Sequence, residues 1–411
     1  MGALSIKDEF VRGLEVWVTR ILGNCPGCGG INKFGNVSVQ ESHVLRGCLS
    51  CNYSVHIPLP PLRKQILYLD QFFFGHSFLE KDRRFVEAVQ QISQISADQL
   101  LVVPYSSVHE DEAHQWRGYG GKTKDDLIKF IKSTSRGHKF KPAYEVELTQ
   151  ISRAFQAFRS TAPSTFKLAP RDALDSKIHA WDDYIWIDEG RDWGDVERVR
   201  ELKQQSVALL VDDAFENWRH STLTFEDQIS VEIKEAAKGY NGAYTEYATR
   251  ILSGDPNAIW NATLLSGVVQ SLLHALPPEE PFDRLVKIER FFASEHFKEI
   301  PYLWLSARIY AVLKDMVKNG AYTNREDAKN RLSGVFQDII HVATYAPYCD
   351  AFFMDKVMAH IVSDPRINLE SRFGVKVFSV NNWDKFLRWL NDLQAGMSAQ
   401  HRTALSAAYP Q

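Results

Sequence analysis

Long apolar runs are missing from this 411-residue chain. None approaches the roughly 20 residues a helix needs to cross a bilayer, so no membrane partner is expected. An excess of one charge is missing too. The 48 Lys and Arg stand against 51 Asp and Glu, a formal net charge of −3. Nothing therefore pulls the whole chain towards nucleic acid or anionic lipid, and any such contact must use a local patch. Lys7, Asp8, Glu9 and Arg12 interrupt the first apolar residues, which excludes a secretory signal pattern. Internal repeats and low-complexity tracts are absent. Cysteine is scarce, five in all, and that scarcity makes its placement informative.

Four of the five cysteines form two pairs, Cys25-Pro-Gly-Cys28 and Cys48-Leu-Ser-Cys51, while Cys349 is remote. A two-residue spacing lets both thiolates of a pair reach one tetrahedral zinc, and two pairs complete the shell. Without a secretion signal, such pairs favour metal ligation in a reducing compartment over disulfides, and a cytoplasmic location is expected. Gly29, Gly30 and Gly47 flank the pairs, and Asn36-Val-Ser-Val39 reads as a short strand. That is the layout of a zinc ribbon, a module too small to fold without its metal. With all four ligands filled it is closed to substrate, so its zinc is structural.

The composition, 45% hydrophobic and 24% charged, is that of a globular protein long enough for two or three domains. Residues 5–22 have helical spacing, with Phe10, Leu14, Trp17, Val18 and Ile21 on one face. Pro58, Pro60 and Pro61 mark a boundary. Gln65-Ile-Leu-Tyr-Leu-Asp70 then reads as a buried strand ending in a carboxylate. A helix at 82–96, a strand at Leu100–Pro104 and a helix starting near Ser106 or Ser107 continue an α/β alternation. From about 120 to 330 the pattern is mainly helical, with helices expected at 194–219, 226–252, 258–275, 282–298 and 302–318. The α/β pattern returns with a helix at 335–346, strands at Ala351–Met354 and Val375–Val380, and a helix at 383–394. The simplest reading is one α/β domain completed by its C-terminal segment around a large helical insertion.

Functional groups of an open α/β sheet gather at the carboxyl ends of its strands. Asp70 and Asp355 follow strands, Asp338 opens a helix, and about one helical turn beyond the second strand stand Glu110, Asp111 and Glu112, of which Glu112 is favoured by position. Four such carboxylates raise one another's pKa unless cations neutralise them, and hard Mg²⁺ or Mn²⁺ is the natural occupant. Asp350 and His341 are accessory candidates, and His109 is expected to be packed and hydrogen-bonded. A basic stretch follows Glu112, including Arg117, Lys122 and Lys124 as candidate nucleic-acid contacts, then Lys129, Lys132, Arg136, Lys139 and Lys141. Trp181–Glu189 and Asp212-Asp213 imitate acidic sites but sit in patterns that read as packed structure.

The segments Ile66–Asp70, Pro104–Glu112 and Asp338–Lys356, the last containing Pro347-Tyr-Cys-Asp350, resemble the acidic motifs of PIN-like nuclease domains. The resemblance covers about 62–118 and 330–395. It implies a parallel sheet with flanking helices. It further implies that Asp70, Glu112, Asp338 and Asp355 bind Mg²⁺ or Mn²⁺ and cleave single-stranded or structured nucleic acid, RNA ahead of DNA. A standalone nuclease of this build would suit a toxin, a defence effector or an RNA-processing factor, with a protein partner or self-association open. One departure is the run Phe72-Phe-Phe74 after Asp70-Gln71, where the family often carries a small polar residue. That run supports the alternative, a catalytically inactive zinc-ribbon adaptor. The expected organisation is an N-terminal helix at 1–22, the ribbon at 23–57, PIN-like parts at 62–118 and 331–395, the insertion at 119–330 and a tail at 396–411.

Overall fold

The computed structural model describes residues 18–174, 176–181, 215–260, 262–278, 281–322, 324–332 and 334–410. Most of the helix expected over 5–22 lies outside these residues, and its described end is a strand, β1 (Arg20–Gly23). β1 pairs antiparallel with β2 (Phe34–Val39), followed by β3 (His43–Cys48) and β4 (Ser54–Pro58) in the order β1-β2-β3-β4. Gly35 is required there: a Cβ would sit 1.8 Å from the Arg20 carbonyl oxygen on the neighbouring strand.

The second sheet is parallel, in the order β6 (Leu101–Val102), β5 (Gln65–Leu69), β7 (Ala351–Phe353), β8 (Lys376–Phe378). β5 is central and buried on both faces, as a parallel strand covered by helices must be. Ile66 and Tyr68 join one core, and Leu67 and Leu69 join the other. The first core is closed by α10 (Pro301–Lys318), α12 (Val335–Tyr345) and α13 (Lys356–Val362). The second is closed by α1 (Gln71–Phe78), α2 (Arg83–Ala97), α4 (Lys124–Thr134) and α15 (Trp383–Ala395). In α2 the buried positions Phe85, Ala88, Ile92 and Ile95 recur at helical spacing, and the Asp82 carboxylate caps the first turn by accepting the Arg84 N–H at 3.0 Å. The result is an α/β fold in which the strand and helix patterns of the two distant segments meet in one sheet.

The insertion is helical where it is described. Beyond α3 (Ser107–Gln115) and α4 come α5 (Ala143–Arg159), α6 (Phe225–Leu252), α7 (Ser266–His274), α8 (Pro281–Phe292) and α9 (Glu295–Lys298). α5 to α8 share a third apolar core with the first half of α10. The helix expected over 258–275 starts only at Ser266, whose hydroxyl donates to the Thr263 carbonyl and ends the preceding turns. Of the helix expected at 194–219, residues 215–219 are described and are helical; Asp212-Asp213 and 182–189 lie outside the described residues. Among the described residues, no helix is long and apolar enough to cross a membrane.

The segment expected as a tail contains α16 (Ala399–Ala408), and the ribbon docks on its end. Asn36 Nδ2 donates to the Ala408 carbonyl at 3.0 Å, and Arg46 donates to the Ala407 carbonyl at 3.1 Å and to Asn36 Oδ1 at 2.9 Å. A cation and an amide thereby satisfy carbonyls that a helix C-terminus leaves unpaired. Val44, Leu59, Trp181, Ala404 and Ala408 fill the contact, and the Trp181 indole N–H donates to the Pro60 carbonyl at 2.7 Å.

Candidate metal centre and acidic site

All four ribbon sulfurs lie within 4.8 Å of one another. Cys25 Sγ and Cys51 Sγ are 3.7 Å apart, and Cys28 Sγ and Cys48 Sγ are 3.8 Å apart. A tetrahedron of sulfurs at the usual zinc distance of about 2.3 Å has edges of about 3.8 Å, so the thiols already stand at ligand spacing. Backbone N–H groups point at the sulfurs: Gly27 donates to Cys25 at 3.3 Å and Ser50 to Cys48 at 3.2 Å. Burial raises the Cys25 thiol, but the amides of Cys28 and Gly27 and the neighbouring thiols outweigh it and bring it down to about 7. The Tyr53 amide lowers Cys51, yet burial and the three other thiols push it up to about 12. Four sulfurs packed this closely cannot all carry charge alone, and a divalent cation removes the conflict. The donor set and spacing fit zinc.

The acidic site is built at the carboxyl ends of β5 and β7. The chain leaves β5 straight into α1, with Asp70 at the turn. Its carboxylate accepts the Gln71 N–H at 2.7 Å, and its own N–H donates to the Phe353 carbonyl at 3.0 Å. Leu69 pairs with Phe353 in register, so Asp355 emerges beside Asp70. Asp355 caps α13 by accepting the Met358 N–H at 2.7 Å, and its own N–H supports the Asp70 carboxylate. Asp338 sits in the first turn of α12, held over the sheet by the buried Val335, Phe336, Ile339 and Val342.

Glu112 is delivered by His109. Its Nδ1 accepts the Ser106 N–H at 3.0 Å, and its Nε2 donates to the Leu69 carbonyl at 2.8 Å, one residue before Asp70. The Tyr68 hydroxyl adds a bond to Ser106 Oγ at 2.9 Å. Burial drops the His109 pKa to about 4, so the ring stays neutral and bridges the start of α3 to the end of β5. Glu112 follows one turn later.

The four carboxylates share one electrostatic environment. Burial raises Asp338 to about 9, and Asp70, Glu112 and Asp355 add to the rise. Burial also raises Asp70 to about 7 against the Gln71 and Asp355 amides, with the Asp355 charge contributing. They are not closed into a cage. Among the described residues, only the cysteines bring three or more potential ligand atoms within 4.8 Å of one another. Among the described residues the acids therefore form no preformed three-ligand cation site.

Comparisons with family models, with curated proteins and with solved structures returned no match. The site is therefore read from its own geometry.

Several accessory expectations are corrected by that geometry. Asp350 precedes β7, at the opposite end of the strand from Asp355. It accepts the Ile66 N–H at 2.8 Å and lies 3.4 Å from Arg63, so it pins the strands and does not join the acids. His341 is a buried core residue of α12, with Nε2 3.4 Å from the Gln337 amide. Phe73 and Phe74 are fully buried: Phe73 packs on Phe85, Phe353 and Phe386, and Phe74 on His109 and Phe130. Phe73 and Phe74 are thus core, with Phe72 partly buried against them. The basic stretch is divided. Lys139 and Lys132 lie 2.6 and 3.8 Å from Glu110, and Lys141 donates to the Arg171 carbonyl at 2.7 Å. Lys122 bonds the Phe78 carbonyl and lies over its ring, while Arg117 and Lys124 are exposed.

Two neighbouring glutamates therefore differ in role. Glu110→Gln should cost about 1–3 kcal/mol of stability in urea unfolding, less than a fully buried pair because Lys139 is 36% exposed. Glu112→Gln should instead lower the Asp338 pKa, read by NMR titration, because the Glu112 charge opposes ionisation of Asp338.

A cleft of about 360 Å³ opens beside Glu112. It is lined by Gln71, Gly75 and Phe78 of α1, by Glu112 and Trp116 from the end of α3, and by Leu127 of α4. Of these residues only Glu112 was expected from the sequence. The signal was there: Gln71, Gly75 and Phe78, and then Glu112 and Trp116, are spaced to share one face of a helix.

Proposed function

We propose that this protein is a metal-dependent phosphodiesterase of PIN-like type, cutting single-stranded nucleic acid at Asp70, Glu112, Asp338 and Asp355. The observation that carries the reading is Asp338, which burial first, and then the charges of Asp70, Glu112 and Asp355 from three other segments, hold protonated up to about pH 9. Repelling acids are tolerated in a fold mainly where function needs them. Bound there, Mg²⁺ or Mn²⁺ would neutralise the acids and polarise the phosphate for attack by water. Asp70 and Asp355 are fixed by backbone N–H groups and would hold the ion in place. Asp338 would lose its proton as the ion enters. Glu112, which also lines the cleft, would accept the proton of the attacking water, while the P–O bond to the leaving oxygen breaks. The preference for RNA over DNA rests on the resemblance of the motifs. The test is cleavage of labelled single-stranded RNA and DNA with Mg²⁺, with Mn²⁺ and with neither, the zinc being retained throughout.

A pH dependence follows. Asp338 titrates near 4 in an unfolded chain and at about 9 when folded, so the folded state binds the extra proton between those values. Its contribution to stability is fully present below about pH 4 and is lost as pH rises through the window towards 9. Without Mg²⁺ or Mn²⁺ the unfolding temperature should fall from pH 5 to 9, and added Mn²⁺ should flatten the slope. A slope unchanged by Mn²⁺ would show that no cation enters the site.

A further inference from the structure

We infer that the cleft beside Glu112 is a pocket for one unpaired nucleobase, so that the enzyme grips its substrate by a base as well as by phosphates; this rests on reading the adjoining acids as a phosphodiesterase site. Three features support it. The volume, about 360 Å³, is within the range of small-molecule sites, roughly 300–1,000 Å³. The wall is aromatic, with Trp116 and Phe78 meeting edge to face, centroids 5.9 Å apart. Any base can stack on such a corner, because every base has a π-face. Third, the Gln71 Oε1 atom is buried with no hydrogen-bond partner among the described residues. A buried acceptor left unmatched is costly, and a rotation of the Gln71 side chain, which lines the cleft, would bring it to the N–H that each nucleobase carries on its pairing edge. Gln71 follows Asp70 directly, so a base held by its amide would place the attached sugar and phosphate next to the acids. Lys122, bonded to the Phe78 carbonyl and 3.4 Å from Glu80, stands behind the Phe78 wall of the cleft.

A pocket that holds phosphate alone ignores the base; a stacking pocket does not. The test uses the Asp338→Asn protein, so that cleavage does not interfere. Its affinity is measured by fluorescence anisotropy for labelled oligoadenylate, as RNA and as DNA, and for an abasic oligomer of the same length. The base-bearing strands should bind about tenfold more tightly than the abasic one. Trp116→Ala should erase that ratio, Trp116→Phe should restore most of it, and Gln71→Leu should reduce it severalfold. Equal affinity for abasic and base-bearing strands, a ratio that survives Trp116→Ala, or no binding of either strand overturns the pocket. The two readings fail separately. Metal-dependent cleavage by the wild type without the ratio leaves the phosphodiesterase and removes the pocket. The ratio without wild-type cleavage does the reverse.

Discussion

Cys48→Ser is expected to empty the ribbon of zinc and unfold residues 18–58, while the α/β domain stays folded. Cys48 is 2% exposed, stands 3.8 Å from Cys28 and accepts the Ser50 N–H. Beyond its ligands the ribbon contributes little apolar core, chiefly Val44 packed against Leu59 and α16. Structural zinc is worth about 10–16 kcal/mol of apparent free energy in small zinc modules, far more than that contact can replace. Zinc measured by atomic emission should fall from one per chain to none. Proteolysis should then cut within 18–58, because the bonds from Asn36 and Arg46 to the end of α16 are lost. A ribbon that stays protected after losing its zinc would mean that its strands and the α16 contact suffice.

Asp338→Asn should lower cleavage by about two to three orders of magnitude, the size of effect seen when one preorganised electrostatic group is removed from a reaction site. It should also raise the unfolding temperature at pH 8 when Mg²⁺ and Mn²⁺ are absent. Burial and three neighbouring carboxylates oppose ionisation of Asp338, and a neutral amide of the same shape relieves that conflict. Opposite changes in activity and stability are the signature of a residue kept for chemistry. An equal loss of both would mark Asp338 as a structural acid of α12 and remove the main support for the proposed reaction.

The elements that could be read from the chain are those whose signal is local. β5 appears in Gln65–Leu69 as a short run of large apolar residues, and α2, α6, α10, α12 and α15 follow helical spacing and end within a few residues of the expected positions. The four-cysteine cluster was equally legible, because its pairs are separated by fixed, short spacings. The acids were legible as strand-end and helix-opening positions, since a carboxylate that terminates an apolar strand stands out. Choosing among Glu110, Asp111 and Glu112 was harder. All three occupy successive positions of one helix, and only the partners across space separate them: lysines for Glu110, the acidic site for Glu112.

Local pattern misled where a residue's meaning depends on what lies opposite. Asp350 lies near Asp355 in sequence, yet the short strand between them carries the two to opposite ends of the sheet. Phe72–Phe74 look hostile to an acidic site, but α1 turns Phe73 and Phe74 into the core and presents Gln71 and Gly75 to the cleft. Local sequence sufficed for the cysteine pairs, the α/β alternation and the carboxylates that end strands, because each depends on neighbours within a few residues. Tertiary structure decided that β5 and β7, some 280 residues apart, are adjacent and parallel. It also decided that His109 ties α3 to the end of β5, and that a cleft with an unsatisfied amide lies beside the acids. Those facts depend on burial and on contacts between distant segments, which no local pattern encodes.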